Sequence, residues 1–190
     1  MEERQSAGPE LLEVSHLSVS FFTPRGEVQA VRDVSFSLRP GEVLAIVGES
    51  GCGKSVLCRS IMKLLPQSAR IKAGSIRARG EDITRCPERR MCQLRGKLFS
   101  MVFQDPMTAL NPAMTVGEQI GEAVLVHRLR LGKRALRTRV AELMELVGID
   151  HPEERMGLCP YSFSGGMRQR VVMAIALAGE PAILLADETT

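Results

Sequence analysis

A continuous apolar run, Val43-Leu44-Ala45-Ile46-Val47, leads directly into Gly48-Glu49-Ser50-Gly51-Cys52-Gly53-Lys54-Ser55. No other stretch constrains the fold as tightly. The octapeptide fits G-x-x-x-x-G-K-[ST], a loop that does its chemistry only between a strand and a helix. The run before it reads as a buried parallel strand. Residues 54–65 after it read as a helix, with Val56, Leu57, Ile61, Leu64 and Leu65 on its apolar face and Pro66 ending it. Strand, loop and helix in that order predict an α/β fold. The glycines let successive backbone N–H groups turn inward toward phosphate oxygens, and the helix adds its positive N-terminal end. Gly48, Glu49, Ser50, Gly51, Cys52, Gly53, Lys54 and Ser55 are therefore expected to hold a nucleotide's phosphates. Lys54 would bridge the β- and γ-phosphates, and the Ser55 hydroxyl would ligate Mg²⁺.

Composition narrows the partners. The 190 residues are 44% hydrophobic and 25% charged, enough for a globular core and unlike a disordered chain. Lys+Arg exceed Asp+Glu by 25 to 22, and aromatics are 4% with no Trp. Neither a basic footprint nor a base-stacking platform is present, so no nucleic acid is expected. The longest apolar run, Val171 to Ala178, is far below the ~20 residues of a spanning helix, and the polar start carries no signal-peptide core. Five cysteines without a Cys-x-x-Cys pair suit a reducing compartment.

Along the chain, residues 1–10 read as a loose arm. Alternation predicts strands at Leu11–Val14, Leu17–Phe21 and Val28–Leu38, with turns at Pro24-Arg25-Gly26 and Pro40-Gly41. Residues 71–96 give no clear pattern. Leu98–Phe103 reads as a short strand stopped by Asp105-Pro106. Leu136, Val140, Leu143, Met144 and Val147 recur at helical spacing, with Gly148 as C-terminal cap. A last helix over about Met167–Ala178 precedes an apolar strand, Ala182–Ala186.

That strand ends in Asp187-Glu188. Ligands of parallel sheets sit beyond the carboxyl ends of the strands, so Asp187 is expected to help hold Mg²⁺ and Glu188 to orient and deprotonate an attacking water. Ser164-Gly165-Gly166 opens the last helix with a good N-cap and two uncovered backbone N–H groups. It reads either as plain helix capping or as a second anion-binding element, and the latter suggests a site completed by another subunit.

Taken together, these motifs resemble the ATP-binding subunit of an ABC transporter over about residues 11–190. Gly48–Ser55 matches the Walker A loop, Phe103-Gln104-Asp105-Pro106 the Q-loop, Ser164–Gln169 the signature motif, and Asp187-Glu188 the end of Walker B. Three stretches resemble the dipeptide/oligopeptide and nickel importer branch. They are Val47–Gly51, Phe103–Pro112 and Phe163–Arg170. The resemblance implies a P-loop NTPase fold of the ABC type, with an N-terminal antiparallel β region and a helical subdomain over about 105–170. It implies ATP and Mg²⁺ as cofactors. Two such domains would stand head to tail, with Ser164, Gly165 and Gly166 on the γ-phosphate of the partner's nucleotide. Gln104 would sense that phosphate and Mg²⁺, Phe21 would stack on adenine with Phe22 as the alternative, and Glu188 with Gln104 would form the catalytic pair. The implied partners are a second ATPase subunit, identical or related, membrane-spanning permease subunits and, indirectly, a solute-binding protein. The implied place is the cytoplasmic face of a bacterial inner membrane.

The family pattern continues beyond Walker B to a D-loop and a switch His, whereas Glu188 is followed here only by Thr189-Thr190. The Pro usual after that Glu is absent. On this ground the C-terminal part of the domain reads as missing, and ATP binding with weak or no hydrolysis is expected of this chain alone. Two other readings compete with a peptide-import ATPase. One is a truncated nucleotide-binding module without turnover. The other is a chromosome-maintenance ATPase, for which Arg128, Arg130, Lys133, Arg134, Arg137 and Arg139 would speak; the chain has none of the sustained heptads such proteins carry.

Overall fold

The computed structural model describes residues 10–103, 109–127 and 131–187. The chain divides into two compact units, Met1–Cys92 and Gln93–Thr190.

The first unit is built on an antiparallel sheet. Strands β1 (Leu12–Thr23), β2 (Gly26–Leu38), β3 (Ala69–Ala78) and β4 (Glu81–Asp82) lie in the order β2-β1-β3-β4. The two expected segments of alternation before Pro24 are one strand, β1. Leu12 and Val14 are buried, then Leu17 and Val19, so the buried phase shifts by one residue between them. A bulge at His16 makes the shift and keeps all four on one face. His16 adopts a left-handed φ of 50°, as does Asp33 on β2, and His16 Nδ1 lies 2.7 Å from Asp33 Oδ1. On the other side of β1, Gly74 of β3 has a φ of +87°, and a Cβ there would collide with the His16 carbonyl.

Helix α1 (Lys54–Ile61) starts where the sequence predicts but stops four residues early. Lys63 takes a φ of 51°. Its N–H donates to the Ser60 carbonyl at 3.1 Å, and that of Leu64 donates to the Arg59 carbonyl at 2.8 Å. This is a Schellman stop with lysine where glycine is usual, so nothing in the composition announces it. One expectation is overturned. Val43–Val47 forms no strand among the described residues and is exposed, Val43 at 94% and Val47 at 89%. A parallel strand depends on neighbours along its edges and cover on both faces. Among the described residues, the unit that contains this run has only the antiparallel sheet, in which it takes no place.

The second unit pairs β5 (Phe99–Val102) with β6 (Ile183–Ala186) in parallel, Phe99 opposite Ile183 and Val102 opposite Ala186. Its described helices include α3 (Val116–His127), α4 (Lys133–Leu146), α5 (Pro152–Arg155) and α6 (Gly165–Leu177), while α2 (Glu88–Leu94) lies at the junction in sequence. Val116, Ile120 and Val124 of α3 join Val140, Leu143 and Met144 of α4 and Val171 and Ala174 of α6 in one buried cluster. Gly148 is the expected cap. With a φ of +77° it donates to Glu145 O at 2.9 Å, and Ile149 donates to Met144 O at 2.9 Å.

Helix α3 opens on a capping box that the sequence reading passed over. Thr115 N donates to Glu118 Oε2 at 2.8 Å, and Glu118 N donates to Thr115 Oγ1 at 3.2 Å. These bonds from the Thr115 backbone and hydroxyl hold the Glu118 carboxyl below its ordinary range. A carboxyl lowered on folding contributes stability that is present above its unfolded pKa and lost as pH falls through the folded one. Glu118→Gln is therefore expected to destabilise the chain at neutral pH. In chemical denaturation repeated down the pH scale, the difference from the parent should close in the acid range.

Candidate nucleotide-binding site

The Gly48–Ser55 loop curls around its own lysine. Lys54 Nζ donates to Gly48 O and to Glu49 O, each at 2.8 Å, and stands 3.9 Å from Cys52 Sγ. Cys52 N donates back to Glu49 O at 3.3 Å. Gly51 has a φ of +81° and Gly53 a φ of +99°, backbone shapes that side chains resist. A Cβ on Gly53 would collide with the Ala30 carbonyl of β2, and one on Gly48 would stand 2.7 Å from Cys52 Sγ. Glycine is thus required at Gly53, where the obstacle is backbone, whereas the Cys52 thiol beside Gly48 can turn away. Gly53 is also the N-cap of α1 and supplies no capping side chain. An ammonium inside a glycine-lined turn, a hydroxyl at Ser55 and a helix start without a side-chain cap are the donor set that a phosphate group takes.

In the second unit, β5 and β6 end side by side, Val102 opposite Ala186. Asp187 follows directly, only 4% exposed, its N–H bonded to Val102 O at 3.0 Å. The chain therefore leaves two neighbouring parallel strands at the same edge, where such sheets bind ligands. Gln104, expected just after β5, and Glu188, expected just after Asp187, lie outside the described residues.

Ser164 caps α6 as predicted. Its φ and ψ of −64° and 164° are extended, and its Oγ accepts from Met167 N at 3.3 Å. Gly165 and Gly166 are exposed, and no described atom lies within 4 Å of a Cβ built on either. Nothing described in the chain's own fold requires glycine there, in contrast to Gly53. Two arginines that the sequence reading did not single out hold this helix start. Arg168 Nε donates to Phe163 O at 3.0 Å, and Arg170 Nη1 donates to Gly148 O, tying α6 to the end of α4. Their signal was present in the Arg-x-Arg spacing, but charge on an opening turn reads equally well as a solvated face.

Phe21 and Phe22 are adjacent on β1 and so point to opposite faces of the sheet. Phe21 is half-buried, opposite Val28 and Ala69. Phe22 is exposed, with the Arg70 guanidinium carbon 5.7 Å and Lys72 Nζ 5.4 Å from its ring centroid. Among the described residues, no three His, Cys, Asp or Glu side chains cluster as a metal site of their own. No described helix is long and apolar enough to cross a membrane.

A glycine-rich loop closed on a lysine at a helix start, with a capped Ser-Gly-Gly helix and an acid-terminated parallel strand, is the architecture of an ATP-binding cassette. The chain belongs to the ABC transporter family: the family model described as "ABC transporter" matches residues 31–190. Over 181 residues, 95% of the chain, it is 55% identical to the dipeptide transport ATP-binding protein DppD of Bacillus subtilis (strain 168) and covers 54% of that protein. It is 54% identical, over the same number of residues, to the oligopeptide transport ATP-binding protein OppD of that strain and covers 50% of it. The chain thus spans about half the length of these curated relatives. Among solved structures, the ATP-binding cassette MJ0796 superposes with a TM-score of 0.80 at 23% identity, over 92% of this chain and 72% of that one. CbiO1 from Clostridium perfringens gives a TM-score of 0.75 at 25% identity, over 95% of this chain and 66% of that one. Both share the cassette fold.

Proposed function

We propose that this chain is the ATP-binding and ATP-hydrolysing part of an ABC importer for di- and oligopeptides. The observation that carries the reading is the Gly48–Ser55 loop, closed on the Lys54 ammonium at the start of α1. It occurs in a chain more than half identical to proteins named as dipeptide and oligopeptide transport ATP-binding proteins. Those names speak for a transport ATPase rather than for a nucleotide-binding module without turnover.

In this reading the domain occupies residues 11–190, with a helical subdomain over about 105–170. The backbone N–H groups of Gly48–Ser55 hold the nucleotide's phosphates. Lys54 exchanges its loop carbonyls for the β- and γ-phosphate oxygens, which its charge favours. Ser55, Gln104 and Asp187 are the residues to hold Mg²⁺, which when bound neutralises phosphate charge. Glu188 accepts the proton of the attacking water, and Gln104 links the γ-phosphate to the membrane-spanning subunits. Phe21 offers its ring to adenine. Ser164, Gly165 and Gly166 are open at the start of α6, and the open space over both glycines supports approach by a second subunit's nucleotide. The partners are that second cassette, identical or related, the permease subunits and, through them, a solute-binding protein. The place is peripheral, at the cytoplasmic face of a bacterial inner membrane.

Phosphate release from Mg-ATP by the purified chain tests the reading. Turnover that disappears in Lys54→Ala is the expected result. Release that is indifferent to Lys54→Ala would assign the activity to something other than this loop.

A further inference from the structure

We propose that the cleft between the C-terminal end of α1 and the outer edge of β3 binds phosphate-bearing anions, independently of the Gly48–Ser55 loop. The cleft encloses about 360 Å³ and is lined by Lys63, Arg70, Lys72 and Arg85, with Ser60 and Thr84 among the remaining residues. Its volume is at the lower end of small-ligand pockets, which start at about 300 Å³. Four cations share this lining and no carboxylate does.

Two nearby carboxylates stand outside the lining, and one of them offsets the charge of Lys72. Glu27 meets Lys72 at 3.3 Å from β2, outside the lining. Asp82 is held below the usual carboxylate range first by the Thr84 side chain, then by the Thr84 N–H, which donates to it at 2.8 Å, with smaller contributions from Arg77 and Arg85.

The cations are also held in place. Arg70 and Lys72, two apart on β3 and so on one face, both stand over the Phe22 ring. Lys63 sits in its left-handed turn with Nζ donating to Cys86 O at 2.6 Å. Gathering like charges costs free energy that an anion among them offsets. The strand edge adds neutral donors. Among the described residues β3 pairs with β4 only at Arg77 and Ala78, leaving the outer edge of residues 69–75 without a strand partner. Such an edge presents peptide N–H groups. Guanidinium forks, an ammonium and edge N–H groups are the donors that a phosphate group bearing more than one negative charge recognises. Two sources carry that group: a soluble polyphosphate and the headgroup of an anionic phospholipid.

The test uses the full chain carrying Lys54→Ala, so that the loop's cation does not contribute and the outcome stands apart from the ATPase reading. Tripolyphosphate is titrated calorimetrically, and flotation is measured with vesicles of phosphatidylglycerol against phosphatidylcholine. Arg70→Gln with Arg85→Gln, both at exposed positions that leave the core intact, is expected to weaken binding by about a hundredfold, roughly tenfold for each charge-assisted contact. The control removes the same charge elsewhere, Lys133→Gln with Arg134→Gln on α4, and is expected to leave binding nearly unchanged. Loss of tripolyphosphate binding in the cleft variant alone supports the site with a soluble ligand. Loss of phosphatidylglycerol flotation in that variant alone supports it with a headgroup. Absence of both in the Lys54→Ala chain, or equal weakening by the α4 control, overturns the proposal.

Discussion

Glu188→Gln is expected to lower phosphate release from Mg-ATP by about 10²–10⁴-fold, the span over which a positioned general base contributes. The change keeps the shape of the side chain and removes the charge that accepts the proton. ATP binding is expected to survive, because the phosphates are held by Gly48–Ser55 and by Lys54. The preceding residue keeps the strand end in place: Asp187 is buried and bonded through its N–H to Val102 O at 3.0 Å. The measurement is steady-state phosphate release alongside equilibrium ATP binding on the same preparation. Binding retained with turnover gone assigns Glu188 to the chemical step. Both lost together would instead give it a structural role at the end of β6.

Gly53→Ala is expected to abolish ATP binding, whereas Gly51→Ala weakens it only modestly. Both residues have positive φ, +99° and +81°, so both substitutions strain the backbone by about 1–2 kcal/mol. What separates them is space. A Cβ on Gly51 meets no described atom within 4 Å, whereas one on Gly53 runs into the Ala30 carbonyl and approaches Val31 Cγ2 at 3.7 Å. Backbone on β2 cannot rotate away as a side chain would, so the loop must move. Because Gly53 is also the N-cap of α1, that movement turns the helix start and Lys54 with it. Equilibrium ATP binding and thermal melting of both variants check this. Equal affinities would mean that the close approach of the loop to β2 is no part of the site.

The elements legible in the sequence were those whose signals are local. Alternation in Leu12–Leu38 gave the β1–β2 hairpin, Gly148 closed α4, and Ser164 opened α6. The loop at Gly48–Ser55 was legible as a motif, while its closure through the Gly48 and Glu49 carbonyls on Lys54 is a tertiary detail that the motif does not announce. What stayed hidden is set by tertiary contact. Helix α3 carries Gly117 and Gly121, poor helix formers that obscure its pattern. The structure explains the first, since a Cβ on Gly117 would stand 2.7 Å from Met156 O; one on Gly121 would make only ordinary contact, 3.7 Å from Leu136 Cδ2. The early end of α1 depends on Lys63 in a conformation normally given to glycine.

Val43–Val47 shows the opposite failure. A five-residue apolar run has the composition of a buried strand whether or not a neighbour pairs with it, and composition cannot supply the neighbour. Gly165 and Gly166 are a further limit. Their openness on α6 is visible only in three dimensions, and it is what distinguishes them from the glycines the chain needs for its own folding.

The central claim is that the Gly48–Ser55 loop holds a nucleotide through Lys54. Equilibrium titration of Mg-ATP into the purified chain, beside the Lys54→Ala variant, tests it most directly. The account predicts binding by the parent and a loss of about a hundredfold or more in the variant, since an ammonium–phosphate contact and its hydrogen bonds are removed at once. An unchanged affinity in Lys54→Ala, or no binding by either chain, would contradict it.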